Sequence, residues 1–405
     1  MGTIFLGSCD TGKTPMDTKK FLAPYHHDGI LKNTTSFRDD DRTTWRRFRD
    51  TSTSEVAQLQ QFLFKSGFMP RGVIDGVFDY VTQASVRLFQ EYVKTVDGVR
   101  DMLPDGIVGT GTWGHIDRWK AAGKVSDWGI ASNEHPSPEY KEWMDLLHKA
   151  KSYYQQRPHP ILLQVANFEK PSDTRKIDDW EFDPKEVHFI GIRRGQDLHG
   201  DRRENDDIFI LLINGMVFKF WGSTDSSQEM SSRRDEAFLA EGQHKYRFGW
   251  HKISEEGKIY RALKPYQYGV LVFRDRDDDN ALTEADLTKG LDGSPNQDIN
   301  IHWSGMGTSN WSAGCQVIAG KSYINHLDQV ADCSGFAAAG YSTLNTSVKK
   351  TKGAYNVLAD LIVSFSAPGV NYIYYTLGRE ASLKLDANLS ANYAKETLER
   401  MKGGL

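Results

Sequence analysis

The chain is short of three things that would narrow its class at once: cysteine, net charge and long apolar runs. Cys9, Cys315 and Cys333 are the only cysteines in 405 residues, an odd count that does not read as a disulfide framework. Cys333 stands either as a partner for Cys315 or as an inert thiol, and pairing would silence Cys315 as a nucleophile. With 50 Lys+Arg against 54 Asp+Glu the formal net charge is −4. A balance so close to neutral offers no global attraction to nucleic acid, an anionic membrane or an anionic polymer, so recognition must be local. No stretch approaches the ~20 apolar residues needed to cross a bilayer. Met1 to Cys9 is too short and uncharged to read as a secretory signal. Leu6-Gly-Ser-Cys9 resembles a lipoprotein processing site only in its last residues, without a basic start or an apolar core.

What is present fits a modular globular protein. A length of 405 residues corresponds to two or three domains, and 39% hydrophobic content suffices for buried cores. The most informative stretch is Ile299-Asn-Ile-His-Trp-Ser-Gly-Met-Gly-Thr-Ser-Asn-Trp-Ser-Ala-Gly-Cys-Gln-Val-Ile318, which ends an alternating strand on His302 and follows a Ser-Ala-Gly turn with Cys315. A thiolate is the nucleophilic form of cysteine, and an imidazole within reach lowers the thiol pKa and later returns the proton to a leaving amine. Gly314 lets backbone approach a substrate carbonyl, so the amides of Gly314 and Cys315 are candidate oxyanion donors. Ser312 is a candidate for orienting the turn. By spacing alone, the plainer reading is a small buried Cys and a hydrogen-bonded His.

Near the N-terminus, Val56, Leu59, Phe62 and Leu63 fall at helical spacing before Gly67-Phe68. Ile74-Asp-Gly-Val-Phe78 and a second helical run through Phe89-Gln90 follow. Asp75-Gly-Val-Phe-Asp-Tyr-Val-Thr82 and Asp105-Gly-Ile-Val-Gly-Thr-Gly-Thr112 form a weak internal repeat, with each Thr expected as a helix N-cap. The pattern predicts a compact three-helix unit.

Two resemblances give these motifs a context. Ile301-His302 with Ser312-Ala313-Gly314-Cys315-Gln316-Val317 resembles the His-Gly … Ser-His-Gly-Cys signature of the L,D-transpeptidase (YkuD-type) family, cysteine acyltransferases of peptidoglycan. The upstream pair of strands Asp207 to Phe220, joined by the type I′ turn pair Asn214-Gly215, extends the likeness. So do Gly242 to Phe248 and Val270 to Phe273, and a late strand at Tyr372 to Thr376 is expected to close the sheet. Ala313 stands where the family has a second His, Gln316 and Val317 stand where it has an Arg, and the loop from His302 to Ser312 is shorter. Those departures leave water and amine both open as acceptor. Separately, Leu59-Gln60 … Gly67-Phe68 … Ile74-Asp75-Gly76 … Thr82 … Phe89-Gln90 … Asp105-Gly106-Ile107-Val108-Gly109 … Thr112-Trp113 is similar to the peptidoglycan-binding type 1 domain.

The two resemblances together imply a multidomain α+β protein: a small three-helix peptidoglycan-binding-like bundle followed by a mainly β, YkuD-like catalytic domain. The expected plan is an N-terminal surface arm at 1–50, the helical domain at 51–120, a connector with one helix at 121–175, the catalytic domain at 176–380 and a solvent-faced tail helix at 381–405. Peptidoglycan is the implied partner, with no nucleic acid and no membrane span. The implied catalytic residues are Cys315, His302, Gly314 and Ser312, and no cofactor is needed. A wall-active protein made in the cytoplasm without its own signal calls for another route, such as phage lysis or a tail or contractile injection machine. The alternative from another class is a non-catalytic peptidoglycan-binding component of such a particle.

Two metal readings remain. Asp275, Asp277, Asp279 and Asp286 have the oxygen spacing of a calcium loop, although Asn280 replaces the usual turn glycine; a solvated acidic turn is the plainer expectation. Arg274 and Asp275 are alternatively placed to line a substrate cleft. His188, His199, His244 and His251 show no zinc-ligand spacing.

Overall fold

The computed structural model describes residues 1–10, 49–51, 54–70, 74–194, 204–226, 235–251, 260–277, 282–305, 308–310, 312–333, 353–366, 372–380 and 392–403. They fall into two compact units, one built from 1–135, 249–261 and 335–370, the other from 136–248, 262–334 and 371–405.

In chain order the first elements are β1 (Ser8–Asp10), β2 (Arg49–Thr51), α1 (Glu55–Ser66), α2 (Tyr80–Thr95), α3 (Thr110–Ala122) and the single turn α4 (Asp127–Ile130). Helices α5 (Pro138–Gln156) and α6 (Pro160–Ala166) follow, then β3 (Thr174–Arg175), β4 (His188–Arg193), β5 (Asp207–Ile213), β6 (Met216–Ser223), β7 (Ala237–Leu239), β8 (Gly242–His251), β9 (Tyr260–Pro265) and β10 (Val272–Arg274). The chain ends with α7 (Glu284–Lys289), β11 (Ile301–Gly305), β12 (Gln316–Ala319), β13 (Ser322–Ile324), β14 (Val330–Asp332), α8 (Ala354–Phe365), β15 (Ile373–Arg379) and α9 (Tyr393–Gly403). The segment 121–175 thus carries α4, α5 and α6 rather than one helix. Each of these three opens on a Ser or His side chain that accepts a backbone N–H, and Pro sits at the start of α5 and α6.

The first unit repeats one device thirty residues apart. Gln60 Nε2 donates to Asp75 Oδ1, the Val77 carbonyl and Thr82 Oγ1 at 3.0, 3.0 and 3.1 Å, while its Oε1 accepts from Gly76 N at 2.9 Å. Gln90 does the same with Asp105, the Ile107 carbonyl, Thr112 and Gly106 N. Neither threonine is the N-cap. Asp79 caps α2 by accepting from Thr82 N at 2.8 Å, and Gly109 occupies the cap of α3. The threonine hydroxyls are spent on the glutamine amides instead.

Phe62, Phe68, Phe89, Tyr92, Trp119 and Trp128 form the aromatic centre of this unit, with edge contacts such as Phe62 to Phe89 at 5.1 Å. Helix α8 packs on α2 and is buried on every residue. Its Asp360 accepts from Arg87 and Arg261, all three being buried. Residues 1–10 are no surface arm: Ile4, Leu6 and Cys9 are buried, and Asp10 accepts from Val56 N and Ala57 N at 2.9 Å each, at the start of α1. Residues 11–48 of the expected arm, including Asp39 to Phe48, lie outside the described residues, and Arg49 and Asp50 pair with Ser8 and Cys9.

The second unit is a mostly β structure in which eight strands close a ring, in the order β12, β11, β9, β8, β15, β4, β5, β6 and back to β12. The hairpin β5–β6 turns on Asn214 and Gly215 at φ 50° and 76°, as a type I′ turn requires. β15 enters between β8 and β4, so the late strand is an interior member of the ring. Closure happens where β6 meets β12, and it depends on Gly222: a Cβ there would stand 1.8 Å from the Val317 carbonyl oxygen. One face of α9 is buried by Ala394, Leu398 and Met401 in the same apolar cluster as Ile208, Ile210 and Trp221, so this helix is not solvent-faced. Residues 381–391 of the expected tail lie outside the described set.

Candidate functional site

β11 and β12 run parallel, with Ile301 opposite Gln316 and His302 opposite Val317. Cys315 lies in the turn immediately before β12, and His302 is the second residue of β11, so both candidates sit at the end where these two parallel strands begin. The ladder extends one step further, through Gln316 N to the Asn300 carbonyl at 2.9 Å. Two buried tyrosines brace these strands: Tyr246 Oη donates to the Ile299 carbonyl at 2.9 Å, and Tyr375 Oη donates to Gln316 Oε1. Sequence reading passed over both, because a Tyr in an apolar strand gives no local sign of the carbonyl or amide it will meet.

The Cys315 thiol is half-buried. It donates to the Asp298 carbonyl at 3.1 Å and accepts from Asn300 N at 3.4 Å. Burial pushes its pKa up to about 11, and the Asp298 charge adds to that while the Asn300 amide opposes it. The resting thiol is therefore protonated and bonded to backbone, where an imidazole partner had been expected. His302 is buried, and its Nδ1 lies 3.0 Å from the Trp303 carbonyl oxygen. A carbonyl only accepts, so the neutral ring carries its proton on Nδ1 and its lone pair on Nε2, the form a base needs.

The turn before Cys315 is held from inside. Asn310 Nδ2 donates to the Asp225 carbonyl at 2.5 Å, Ser312 N donates to Asn310 Oδ1 at 2.9 Å, and Gly314 N donates to Ser312 Oγ at 3.3 Å. Ser312 bonds on both sides within this turn. The Gly314 amide, expected as an oxyanion donor, is engaged by that hydroxyl. A Cβ on Gly314 would meet only Ile299 Cδ1 at 3.5 Å and Ala237 Cβ at 3.7 Å, ordinary contact distances. Nothing within the folded chain requires glycine there. Asn310 was missed in the sequence, although Asn two residues before Ser312 is a legible Asx-turn signal. Trp311 lies outside the described residues.

Oxygens of Asp275, Asp277 and Asp286 gather within 4.8 Å of one another, with Asp275 and Asp286 buried; Asp279 is outside the described residues. The expected solvated acidic turn is therefore replaced by a partly buried one. Asp286 accepts from Arg276 N at 3.0 Å and shares a capping box with Thr283 at the start of α7. Arg274 is paired with Asp292 at 2.7 Å. His188 and His244 are buried, the first with Nε2 2.7 Å from the Asp183 carbonyl and the second with Nδ1 3.0 Å from Thr174 Oγ1. His199 lies outside the described residues. Cys9, Cys315 and Cys333 are all free thiols.

Residues 52–116 match the family model described as "Putative peptidoglycan binding domain". The chain carries a peptidoglycan-binding domain of type 1 there. The paired Gln60 and Gln90 networks lie within that match. No curated protein matches the chain. Among solved structures, the chain is similar to a fused Zn-dependent amidase/peptidase/peptidoglycan-binding domain-containing protein from Clostridium acetobutylicum ATCC 824. The identity is 10%, over 81% of this chain and 96% of that one, with a TM-score of 0.22. Among the described residues, no helix is long and apolar enough to cross a membrane.

Proposed function

We propose that the chain is a peptidoglycan-active cysteine enzyme, with an L,D-transpeptidase-like catalytic domain over about 176–380 and a wall-binding domain at 51–120. The observation that carries this reading is that Cys315 and His302 lie at the same end of the paired parallel strands β11 and β12. With a pKa pushed up to about 11, the thiol reacts only if its proton leaves as it attacks. His302 Nε2 takes that proton while the sulfur bonds to the carbonyl carbon of a stem-peptide amide. The C–N bond then breaks, the imidazolium protonates the departing amine nitrogen, and a thioester to Cys315 remains. Water or a second amine attacks the thioester, gives its proton to His302 and regenerates the thiol. Linkage to a wall-binding domain raises the local concentration of this site on an insoluble polymer without new contacts.

A second reading is favoured by the protonated, backbone-bonded thiol and by Ala313: a wall-binding scaffold without chemistry, as in a phage tail or injection particle. Incubating purified sacculi with the wild type and with Cys315→Ala, followed by mass spectrometry of the muropeptides, separates the two. New products with the wild type alone establish the enzyme, and their masses tell hydrolysis from cross-linking. Identical muropeptides from both proteins, with both still pelleting with sacculi, establish the scaffold.

A further inference from the structure

A cleft of about 320 Å³ opens on the second unit between β3, β8 and the Tyr266-Gln267-Tyr268 turn that follows β9. Four cations line it, Lys170, Arg175, Lys176 and Lys245, against two carboxylates, Asp173 and Asp179. Asp173 is buried and already committed: its Oδ2 accepts from the backbone N–H groups of Gln267, Tyr268 and Gly269, each at 2.8 Å. It shapes the turn and faces the ligand with little of its charge. Arg175 donates to the Asp179 backbone carbonyl, and Lys245 lies 4.2 Å from the centre of the Tyr372 ring. Among the described residues neither makes a salt bridge within 4.0 Å of a carboxylate, and Lys245 acts on the buried Asp173 only through its field.

The walls are aromatic as well as basic. Arg175 stands 5.3 Å from the centre of the Tyr374 ring, Tyr266 packs edge-on against Tyr372 at 5.0 Å, and Tyr268 is 47% exposed at the rim. A chain with a formal net charge of −4 that gathers four cations beside Tyr266 and the exposed Tyr268 has built a local site for an anion with an organic body. Its position is also fixed relative to Cys315. Gln297 Nε2 donates to the Gln267 carbonyl of the turn at 3.0 Å, and the next residue, Asp298, offers the carbonyl that holds the thiol at 3.1 Å. One dipeptide therefore touches the cleft at one end and the nucleophile at the other.

We infer that this cleft is a subsite for a carboxylate-bearing part of a peptidoglycan stem peptide, held by Lys245, Lys176 and Arg175 while Cys315 meets an amide of the same strand. The inference rests on the cysteine-enzyme reading for the identity of the peptide. Its test does not need turnover.

Hydrogen exchange measured on full-length Cys315→Ala, with and without a disaccharide tetrapeptide, locates the ligand. Protection is expected over residues 172–179 and 264–271. It should disappear when the peptide carboxylates are amidated, and K245E and K176E should each weaken it about tenfold in ligand titration, the loss of one charge-assisted contact. Melting curves of both variants check folding, and K176E changes an exposed side chain. Protection that survives both charge reversals, stays confined to 52–116, or is produced equally by the peptide-free disaccharide overturns the subsite. Unchanged muropeptides with the wild type, alongside protection that obeys these charges, would instead overturn the cysteine chemistry alone.

Discussion

Arg87 and Asp360 lie 273 positions apart and meet through two hydrogen bonds of 2.7 and 2.6 Å, with Arg261 adding a third to the same carboxylate at 2.6 Å. All three side chains are buried, so one carboxylate is shared between two guanidinium groups held away from water. The wall-binding domain is thus tied to a helix that its own contiguous sequence does not contain. Removing the acid from such a cluster strands buried charge, so Asp360→Ala is expected to cost ~3–5 kcal/mol in denaturant unfolding. A loss under ~1 kcal/mol would mean the cluster is hydrated rather than closed.

Gln60 and Gln90 share four matching bonds and Gln60 accepts one more, from Asp75 N at 3.0 Å, so their truncations should cost alike to within about 1 kcal/mol. At ~1 kcal/mol per hydrogen bond, Gln60→Ala and Gln90→Ala should each lose roughly 3–4 kcal/mol, read by thermal and chemical unfolding. Clearly unequal losses would show that the repeat is one of sequence and not of energetics.

Gly222 and Gly314 make opposite predictions. Gly222→Ala pushes a methyl into the Val317 carbonyl at the ring closure and should cost ~3 kcal/mol or more. Gly314→Ala finds room, so stability should change by less than ~0.5 kcal/mol. If a substrate carbonyl approaches Gly314, the same variant should lose roughly 100-fold in turnover of sacculi, the size of a lost oxyanion contact. Full activity in Gly314→Ala would remove that turn from the mechanism.

The free thiol should alkylate slowly at neutral pH. Its pKa is about 11, so the rate with iodoacetamide should keep climbing, about tenfold per pH unit, well past pH 9. A plateau below pH 8 would show a thiolate stabilised by His302 and contradict the resting arrangement described above.

Stability should fall in acid. Burial lowers the pKa of His188 to about 4 and of His244 to about 3, from 6.5 in the unfolded chain. Their contribution is complete above pH 6.5 and is lost as the pH drops toward those values, because the unfolded chain then binds protons that the folded one refuses. Each is worth on the order of 3 kcal/mol. Denaturant midpoints at pH 8 and pH 5 should differ less in His244→Gln than in the wild type, and an equal difference would sink the assignment.

What the sequence made legible was local. The Asn214-Gly215 turn and the Asp-Gly repeat are set within a few residues and were readable, whereas the strand expected to end on His302 instead runs Ile301–Gly305. Unrecognised were contacts between distant segments. Helix α8 carries an apolar run that is mute about its partner α2, and the N-terminal ten residues look like an arm until Asp10 is seen at the start of α1. The threonines at 82 and 112 show the same limit, since their hydroxyls answer to glutamines 22 residues back. At the site, His302 and Cys315 were readable as a pair of chemistries. The Asp298 carbonyl that holds the thiol was not, because a backbone acceptor leaves no mark in the sequence.

The ring closure at β6 and β12 gives the candidate site a lifetime. β12, which carries the chain on from Cys315, is hydrogen-bonded on both sides, to β11 and to β6. A strand held on both flanks does not fray from an edge, so the start of β12, next to Cys315, shifts only when its neighbours on both sides open. The time for which that strand stays in place is then the unfolding time of the barrel, and the seam at Gly222 is where that clock is set.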